Sequence, residues 1–396
     1  MINKTNPIIC LAGKNEIATF GLNLLLKHIS KKNIHVLCNS SDIGIDTWRP
    51  SLLKAAKDNK IKIISLEDCY KIKNLIFLSL EYDKIIVPSK FSDAKMFNIH
   101  FSKLPSYRGM FTSALPLLND ETESGVTLHE IDAGIDTGNI VDQVNFSISD
   151  LDTSRDLYNK YLLHSKKILK KNLEKILKGK TKSIPQSQVG SSYYSKNSID
   201  YNNLKINLIA TASQIRNQIR AYTFAEYQLP RIHDYFVNSA KVSEKKSTEK
   251  PGSILSINLK KFDISTKDYD LTIFRDKVYE LFEAAKTNNL NLAQECIKCG
   301  VNVNIRNGNG WTSTIVAAFN GSKDVLSLLI KNGADLNLSS YKGTTPLMYA
   351  MSCYEKNNDR STFDLLLKSG AKLDLVDLHF KSIIDYVKER NISGLF

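Results

Sequence analysis

Short apolar runs alternate with helix-like segments through the first part of the chain. Residues 7–13 form an apolar run that ends in a small-residue turn, and residues 16–29 have the apolar spacing of a helix. Further apolar runs follow at residues 35–38, 62–65 and 75–80. Short strands that alternate with helices predict an α/β fold, in which a mostly parallel, Rossmann-like sheet carries helices on both faces.

The turn after the first predicted strand is a candidate ligand site. Ligands of such sheets bind at the carboxyl ends of the strands, where Gly13, Lys14 and Asn15 follow the first apolar run. These residues lack the complete Gly-rich fingerprint of a dinucleotide site, so a classical dinucleotide cofactor is not predicted.

A long helix closes the first predicted domain. Thr153 and Asp156 form a start similar to a capping box, apolar positions recur at helical spacing, and Gly179 ends the pattern. The pattern then changes to short β-like pieces up to about residue 274. We therefore predict a first domain at residues 1–185 and a small β-rich module at residues 186–274.

The last part of the chain contains a repeat. A Gly-centred segment at Gly300 recurs at Gly333 and at Gly370, at intervals of 33 and 37 residues. The 33-residue period and the sequence Thr-Thr-Pro-Leu-Met-Tyr-Ala at 344–350 resemble ankyrin repeats, with an insertion near residues 353–360. Residues 275–396 are therefore expected to stack as an all-α solenoid.

Composition changes this picture little. The 396-residue chain is 42% hydrophobic and 24% charged, which is typical of globular domains. Its net charge of +13 comes from lysines scattered along the chain, so we predict no nucleic-acid partner. The chain has no apolar run long enough for a membrane span and no recognisable leader, so we predict no membrane partner and expect a cytoplasmic protein.

The six cysteines show no disulfide framework, which fits a reducing compartment. Cys296 and Cys299 form a C-x-x-C pair, but no second pair follows, and both lie in a helical pattern. We interpret them as structural residues and predict no metal site.

Candidate chemistry lies in a segment that begins at Asn98 and His100 and ends at Gly109. Asp136 follows 27 residues after Gly109, between two glycines. A carboxamide, an imidazole and a carboxylate held together suit acyl transfer to an amine, because the imidazole handles the proton and donors hold the developing oxyanion. We predict Asn98, His100 and Asp136 as catalytic residues.

A purely structural interpretation is the alternative. Asn98 and His100 would alternate along a strand and satisfy local hydrogen bonds, while Asp136 would cap a turn. The combined spacing and the Leu-Pro-x-Tyr-Arg-Gly continuation favour catalysis. The histidines His28, His35 and His164 lack this context and are interpreted as structural.

The segment 98–109 resembles the pattern Asn-(Ile/Val)-His-x-Ser-x-Leu-Pro-x-(Tyr/Phe)-x-Gly of folate-dependent formyltransferases, and residues 125–138 resemble its companion motif. The resemblance implies N10-formyltetrahydrofolate as the formyl donor and a catalytic domain over residues 1–185. Segments at residues 13–15, 48–52, 79–85 and 217–224 resemble the nucleotide-sugar branch, which acts on dTDP-linked amino-dideoxy sugars.

The resemblance also implies binding residues. Those expected at the formyl donor are Leu80, Tyr82, Asp83, Ile85, Gly134 and Asp136. Those expected at the dTDP-linked amino sugar are Lys14, Asn15, Trp48, Tyr107, Arg108, Thr112, Arg220 and Tyr222. Packed helix edges and ordinary strand ends remain the structural alternative for these positions.

The function predicted by the resemblance is N-formylation of a dTDP-3-amino- or dTDP-4-amino-dideoxyhexose, such as dTDP-3-amino-3,6-dideoxyglucose, for lipopolysaccharide O-antigen synthesis. Two alternatives stay open: a methionyl-tRNA-type formyltransferase, and an ankyrin scaffold with a vestigial catalytic domain. A homodimer is expected. The ankyrin repeats are expected to bind a protein or, at Trp311, an accessory nucleotide sugar.

Overall fold

The computed structural model describes residues 7–396. The chain divides into two compact units, with the sequence boundary between Leu204 and Lys205. Each unit has its own secondary structure and is described by itself.

The first unit is built on a seven-stranded sheet. Its strands and the short pair beside it are β1 (Ile8–Gly13), β2 (Ile34–Cys38), β3 (Lys62–Ile63), β4 (Leu75–Leu80), β5 (Ala94–His100), β6 (Arg108–Gly109), β7 (Glu123–Glu130), β8 (Ile140–Ser147) and β9 (Tyr193–Tyr194). Its α-helices are α1 (Asn15–Leu25), α2 (Leu52–Asp58), α3 (Leu66–Lys71), α4 (Leu115–Leu118) and α5 (Ser154–Leu177).

The sheet has the order β3-β2-β1-β4-β5-β7-β8. Strands β1 to β5 run parallel, whereas β7 and β8 are antiparallel to their neighbours. Strand β4 is buried along its whole length, as expected for a central strand with both faces covered. The mostly parallel, Rossmann-like sheet predicted from the apolar runs is therefore confirmed.

Several predicted elements appear with shifted ends. The first helix spans Asn15–Leu25 instead of residues 16–29, and the strand expected at residues 62–65 is limited to Lys62–Ile63. The long helix α5 begins with a complete capping box, in which Thr153 and Asp156 satisfy each other's backbone N–H groups.

Residues beyond 185 contribute to the first unit. Strand β9 pairs with β6, so that Tyr193 and Tyr194 lie beside Arg108 and Gly109. Gln186 donates to the carbonyl oxygens of Asp136 and Gly138 at 2.9 and 2.7 Å. The three-domain division with boundaries at 185 and 274 stays a prediction.

The second unit begins with an antiparallel sheet. Helix α6 (Ala212–Tyr222) precedes the strands β10 (Arg231–Ile232), β11 (Tyr235–Lys246), β12 (Ile254–Ile257), β13 (Lys261–Ile264) and β14 (Tyr269–Arg275). The sheet order is β10-β11-β14-β13-β12, and α6 packs against β11 and β14. The predicted β-rich module is thus confirmed as a separate antiparallel sheet, with one helix on it.

Seven helices complete the second unit. They are α7 (Lys277–Thr287), α8 (Leu290–Lys298), α9 (Ser313–Asn320), α10 (Lys323–Lys331), α11 (Pro346–Asn357), α12 (Ser361–Lys368) and α13 (Ile383–Glu389). Their apolar faces form one continuous core that includes Leu281, Leu329 and Phe363. Helix α11 has 12 residues where α9 has 8, and these four extra residues account for the longer repeat interval. The predicted ankyrin solenoid and the position of its insertion are confirmed.

Candidate active site

Strand β5 positions the first two candidate catalytic side chains. Asn98 and His100 lie two residues apart near its carboxyl end, so their side chains point to the same face of the sheet. The neighbouring strand β7 places His129 directly opposite Asn98. His100 and His129 are buried, at 8% and 2% exposure.

Asp136 connects these groups from the loop between β7 and β8. Its Oδ1 atom lies 3.3 Å from the Asn98 amide nitrogen and 3.5 Å from His129 Nε2. Its Oδ2 atom accepts the Gly109 N–H at 3.0 Å and lies 3.5 Å from His100 Nδ1. The backbone of Asp136 is left-handed, with φ 55°, a conformation that Asp tolerates and that often marks a functional site.

The hydrogen bonds of His100 define which ring nitrogen can take a proton. Its Nε2 atom donates to the Tyr107 carbonyl oxygen at 2.8 Å, since a carbonyl can only accept. Nδ1 therefore faces Asp136 as the nitrogen that is free to be protonated.

Asn98 belongs to a closed hydrogen-bond network. Its amide nitrogen donates to Asp136 and to His129 Nε2, the latter at 3.1 Å. His129 in turn donates from Nδ1 to the Glu130 carbonyl at 2.7 Å, which keeps Nε2 as an acceptor. Both amide hydrogens of Asn98 are thus engaged, so donation to a reacting oxygen requires it to exchange one of these partners.

The Asp136 carboxyl is strongly acidic in this setting. Burial by itself would raise its pKa, but the His100 and His129 rings and the Gly109 N–H together lower it well below the ordinary value. The group is therefore a carboxylate near neutral pH.

Gly109 brings the loop close enough to reach Asp136. Its φ of 90° is left-handed, and a Cβ atom at this position would lie 2.2 Å from the Tyr194 carbonyl oxygen. Only glycine allows the β6–β9 pairing and the N–H contact to Asp136 at the same time.

A cavity of about 720 Å³ opens beside this network. It is lined by the three candidate catalytic residues, Asn98, His100 and Asp136, and by His129. The candidate donor-binding residues Tyr82, Asp83, Ile85 and Gly134 also line it, and Thr112 lines it from the candidate acceptor set. Leu80 is fully buried within the sheet and does not line the cavity.

The other acceptor candidates of the first unit contact the framework around the cavity. Asn15 is buried and its amide nitrogen lies 3.4 Å from Glu81 Oε1, and Lys14 precedes it at the start of α1. Tyr107 donates its hydroxyl hydrogen to Glu121 at 2.6 Å, and Arg108 donates to Gln186 at 2.8 Å.

Trp48 lies in a cationic and aromatic cluster. The guanidinium groups of Arg49 and Arg155 lie 4.3 and 4.8 Å from the centre of its ring, and Tyr158 meets it edge-on at 6.4 Å. Trp48 therefore has a defined packing role whether or not a ligand contacts it.

Three candidates lie in the second unit. Arg220 is buried in α6 and donates to Asn217 at 3.2 Å, and burial raises the pKa of Tyr222. Trp311 packs against Phe319 and Tyr349, with ring centres 5.5 and 4.7 Å apart. Arg220 and Trp311 thus have defined packing partners within the second unit.

Residues that the sequence reasoning did not select also form the site. His129 belongs to the quoted motif, and its position opposite Asn98 would follow once β5 and β7 were known to pair. Residues 193–197 supply a cavity wall, but no sequence signal connects them to the site.

Glu81 also lines the cavity, and the sequence did not identify it as a site residue. It accepts hydrogen bonds from Tyr158 at 3.1 Å and from Asn15. Burial raises the pKa of Glu81 to about 7, although Lys14, Tyr158, Asn15 and Arg49 act in the opposite direction. Only the strand-end segment around it was identified in the sequence.

Within the described residues 7–396, no three or more His, Cys, Asp or Glu side chains form a group suited to a metal ion. In the same part of the chain, no helix is long and apolar enough to cross a membrane.

Comparison with known families places three models on the chain. "Formyl transferase" matches residues 74–173, "Formyl transferase, C-terminal domain" matches 198–304, and ankyrin repeats in three copies match 281–377. The first covers the network of Asn98, His100 and Asp136.

Two solved structures resemble the chain over about two thirds of its length. One is an N-formyltransferase from Helicobacter canadensis in complex with folinic acid and dTDP-3-aminofucose, 42% identical, with a TM-score of 0.64, covering 68% of this chain and 100% of that chain. The other is WlaRD, a sugar 3N-formyl transferase crystallised with dTDP and 5-N-formyl-THF. It is 43% identical, with a TM-score of 0.64, and the match covers 68% of this chain and 98% of that chain. The fold is that of a folate-dependent formyl transfer enzyme, and this chain belongs to the formyl transferase family.

Curated relatives are more distant. The bifunctional polymyxin resistance protein ArnA of Wigglesworthia glossinidia brevipalpis is 28% identical over 395 residues, which cover 91% of this chain and 58% of that protein. A methionyl-tRNA formyltransferase of Francisella tularensis subspecies novicida is 32% identical over 215 residues, covering 51% of this chain. The match spans 65% of the length of that second relative.

Proposed function

We propose that this protein transfers a formyl group from N10-formyltetrahydrofolate to the amine of a dTDP-linked amino-dideoxyhexose. The observation that carries the proposal is the network of Asn98, His100 and Asp136 at the cavity. The similarity of the chain to two sugar N-formyltransferases, at 42% and 43% identity, supports the nucleotide-sugar acceptor.

The lining of the cavity fits the proposed donor. The lining includes the apolar and aromatic side chains of Tyr82, Ile85, Ile86, Ile131 and Ile135. Such side chains suit a flat pterin ring, while a few polar groups fix the orientation of the formyl group. The cavity volume of about 720 Å³ is within the range of small-molecule sites.

The relatives favour the C3 amine over the C4 amine. The Helicobacter canadensis structure contains dTDP-3-aminofucose, and WlaRD is described as a sugar 3N-formyl transferase. We therefore propose a dTDP-3-amino-3,6-dideoxyhexose as the acceptor, with dTDP-3-amino-3,6-dideoxyglucose and its galacto epimer as the two forms to test.

The proposed chemistry assigns one task to each central residue. Asn98 exchanges one of its present partners for the formyl oxygen and donates to the negative charge that develops there. His100 accepts a proton from the attacking amine at Nδ1 and returns it to the departing nitrogen of the folate. Asp136 orients both side chains and stabilises the charged imidazole.

Acceptor contacts are proposed for Lys14, Asn15, Trp48, Tyr107, Arg108 and Thr112 in the first unit, and for Arg220 and Tyr222 in the second. We also propose a cytoplasmic homodimer that serves lipopolysaccharide O-antigen synthesis. The ankyrin repeats are proposed to bind a protein partner, and accessory nucleotide binding at Trp311 is a separate hypothesis.

Mass spectrometry tests the proposed reaction directly. Purified protein is incubated with N10-formyltetrahydrofolate and a panel of dTDP-3-amino- and dTDP-4-amino-dideoxyhexoses, with His100→Asn as the control. We expect one acceptor to gain a formyl group and the variant to lose this activity. If every sugar stays unmodified while the donor still binds, the nucleotide-sugar assignment is wrong, and methionyl-tRNA is the next acceptor to assay.

A further inference from the structure

The backbone brings Glu81 to the side of the proposed base. Leu80 at the end of β4 pairs with Ile99 of β5, and the residues that follow these two are Glu81 and His100. Neighbouring strands lie about 4.8 Å apart, so the two residues leave the sheet side by side. Both line the cavity.

The conformation of Glu81 is held by its surroundings. Its backbone is left-handed, with φ 58°, which costs about 1 kcal/mol or more for a residue with a side chain. The Asn39 amide donates to its carbonyl oxygen at 3.0 Å, and Tyr158 donates to both carboxyl oxygens at 3.1 and 3.2 Å. These contacts hold the carboxyl group in a fixed position, out of bulk solvent.

The proposed reaction has to remove two protons from the acceptor. Near neutral pH a sugar amine is largely an ammonium ion, with a pKa of about 8 by analogy with α-amino groups. One proton must leave before the nitrogen can attack, and a second must leave after the new C–N bond forms. The folate nitrogen takes up one proton when its C–N bond breaks, so one proton in total is released to solvent.

His100 can serve one of these transfers but not both. In the proposed function it carries the second proton from the new amide nitrogen to the departing folate nitrogen. Asp136 is too acidic to hold the first proton, because its pKa lies well below the ordinary value. Below the pKa of the ammonium, a separate acceptor of moderate basicity is needed to take the first proton from the bound amine.

We propose that Glu81 is this acceptor and takes the first proton from the ammonium group of the bound amino sugar. The inference rests on the proposed function and adds a catalytic residue to it. The Glu81 carboxylate first attracts the ammonium, then accepts its proton and releases it to water at the cavity mouth. No oxidant or reductant takes part.

The charges around Glu81 are compatible with this role. Burial raises the pKa of Glu81 to about 7, which is close to the pKa of the ammonium. Proton transfer between the two groups therefore has a free-energy change close to zero. Lys14 before α1, Arg49 before α2 and Tyr158 on α5 face the carboxyl and favour its ionised form. The group can therefore exist as a carboxylate before the acceptor binds.

The pH dependence of Glu81→Gln tests the proposal. Glutamine retains the size and polarity of the side chain but cannot take the proton, so the variant must wait for free amine. We expect kcat at saturating acceptor to fall at least about tenfold near pH 6.5 and to approach the wild-type value near about pH 9. Glu123→Gln, which removes an exposed carboxylate paired with Lys103, should follow the wild-type profile at both pH values.

Several results would overturn the assignment. A wild-type to variant ratio of kcat that stays constant with pH would indicate a structural role, and an effect confined to KM would indicate binding of the ammonium only. Thermal melting and titration with 5-formyltetrahydrofolate establish that the variant is folded. Glu81→Asp, which retains a carboxylate, should retain the wild-type shape of the profile. If the wild-type protein formylates no amino sugar, the proposed function itself is wrong. This outcome differs from a pH-independent ratio of kcat, which would contradict only the role of Glu81.

Discussion

At the scale of single residues, the site depends on which groups keep their charge. Asp136 accepts or faces four partners from three segments of the first unit, and its lowered pKa keeps it ionised. Glu81 lies at the same cavity with a raised pKa. Two carboxyl groups whose pKa values are shifted in opposite directions suit separate roles in proton transfer.

Replacing Asp136 by Asn should lower kcat by about 100-fold or more, because the neutral amide cannot stabilise a charged His100. The measurement is the rate of formyl transfer at saturating substrates. The matched control is Asp58→Asn, which removes an exposed carboxylate 3.7 Å from Lys54 and should leave kcat unchanged. Equal rates for the Asp136 variant and wild type would contradict the assignment.

Glu81→Gln should also make the protein more stable at alkaline pH. A raised pKa means that the folded state binds the proton more tightly than the unfolded state, so stability declines between the unfolded value of about 4.3 and the folded value of about 7. Above pH 7 the folded wild-type protein bears the full cost of burying the ionised carboxylate. We expect the free energy of unfolding of the variant to be higher there by about 1 kcal/mol.

Below about pH 4.3 the carboxyl is protonated in both states, so this gain should disappear. Urea unfolding at pH 8 and at pH 4 measures the difference. An equal gain at the two pH values would show that it does not come from ionisation.

At the scale of elements, the site depends on a loop that returns to the sheet. Strand β6 follows β5 and pairs with β9, 85 residues further along the chain. This pairing fixes the Gly109 N–H against Asp136, and it brings residues 193–197 to the cavity. The loop is therefore part of the framework of the proposed active site.

Gly109→Ala should disrupt this framework. The added Cβ would lie 2.2 Å from the Tyr194 carbonyl oxygen, so the β6–β9 pair must separate and the N–H must leave Asp136. We expect a loss of stability of about 2 kcal/mol or more and a clear loss of formyl transfer.

Gly300→Ala provides the matched control for Gly109→Ala. Gly300 is also left-handed, with φ 84°, but no atom lies within 4 Å of the added Cβ. Only the backbone strain of about 1 kcal/mol remains, and formyl transfer should persist. Thermal melting and the transfer assay on both variants measure the two effects. Similar losses at the two glycines would exclude the proposed steric cause.

At the scale of the whole molecule, two units with separate cores share one chain. In the second unit, Glu280 at the start of α7 joins Arg275 of β14 and Lys277, at 2.8 and 2.7 Å. All three side chains are less than 10% exposed. This buried ionic group connects the antiparallel sheet to the first ankyrin helix.

Glu280→Gln should destabilise the second unit by about 2 kcal/mol, because the half-exposed Glu295, at 3.9 Å from Arg275 and 3.5 Å from Lys277, is then the remaining carboxylate beside two buried cations. The chain has two tryptophans, Trp48 in the first unit and Trp311 in the second, so fluorescence can follow each unit separately. Trp48→Phe leaves Trp311 as the probe, and Trp311→Phe leaves Trp48.

We expect only the Trp311 transition to move to lower urea. Asp364→Asn, which removes an exposed pair with Arg360, should shift it by less than about 0.5 kcal/mol. An equal shift of both transitions would indicate that the two units unfold together.

Local patterns in the sequence were sufficient for the elements and for the repeat. The fully apolar β4, the capping box at Thr153 and the 33-residue period each depend on neighbours along the chain, so they could be predicted without a fold. The candidate residues Asn98, His100 and Asp136 were likewise found by their spacing, although their roles stay predictions.

Only the tertiary structure brought His129, Glu81 and residues 193–197 to the same cavity. His129 faces Asn98 because β7 is antiparallel to β5, and strand direction is decided by the packing of the whole sheet. The raised pKa of Glu81 arises from burial, which no single segment contains. Sequence by itself determined the elements and the reactive residue types, because these depend on local spacing. The tertiary structure decided the partners, the burial and the charges, because these depend on contacts between distant segments.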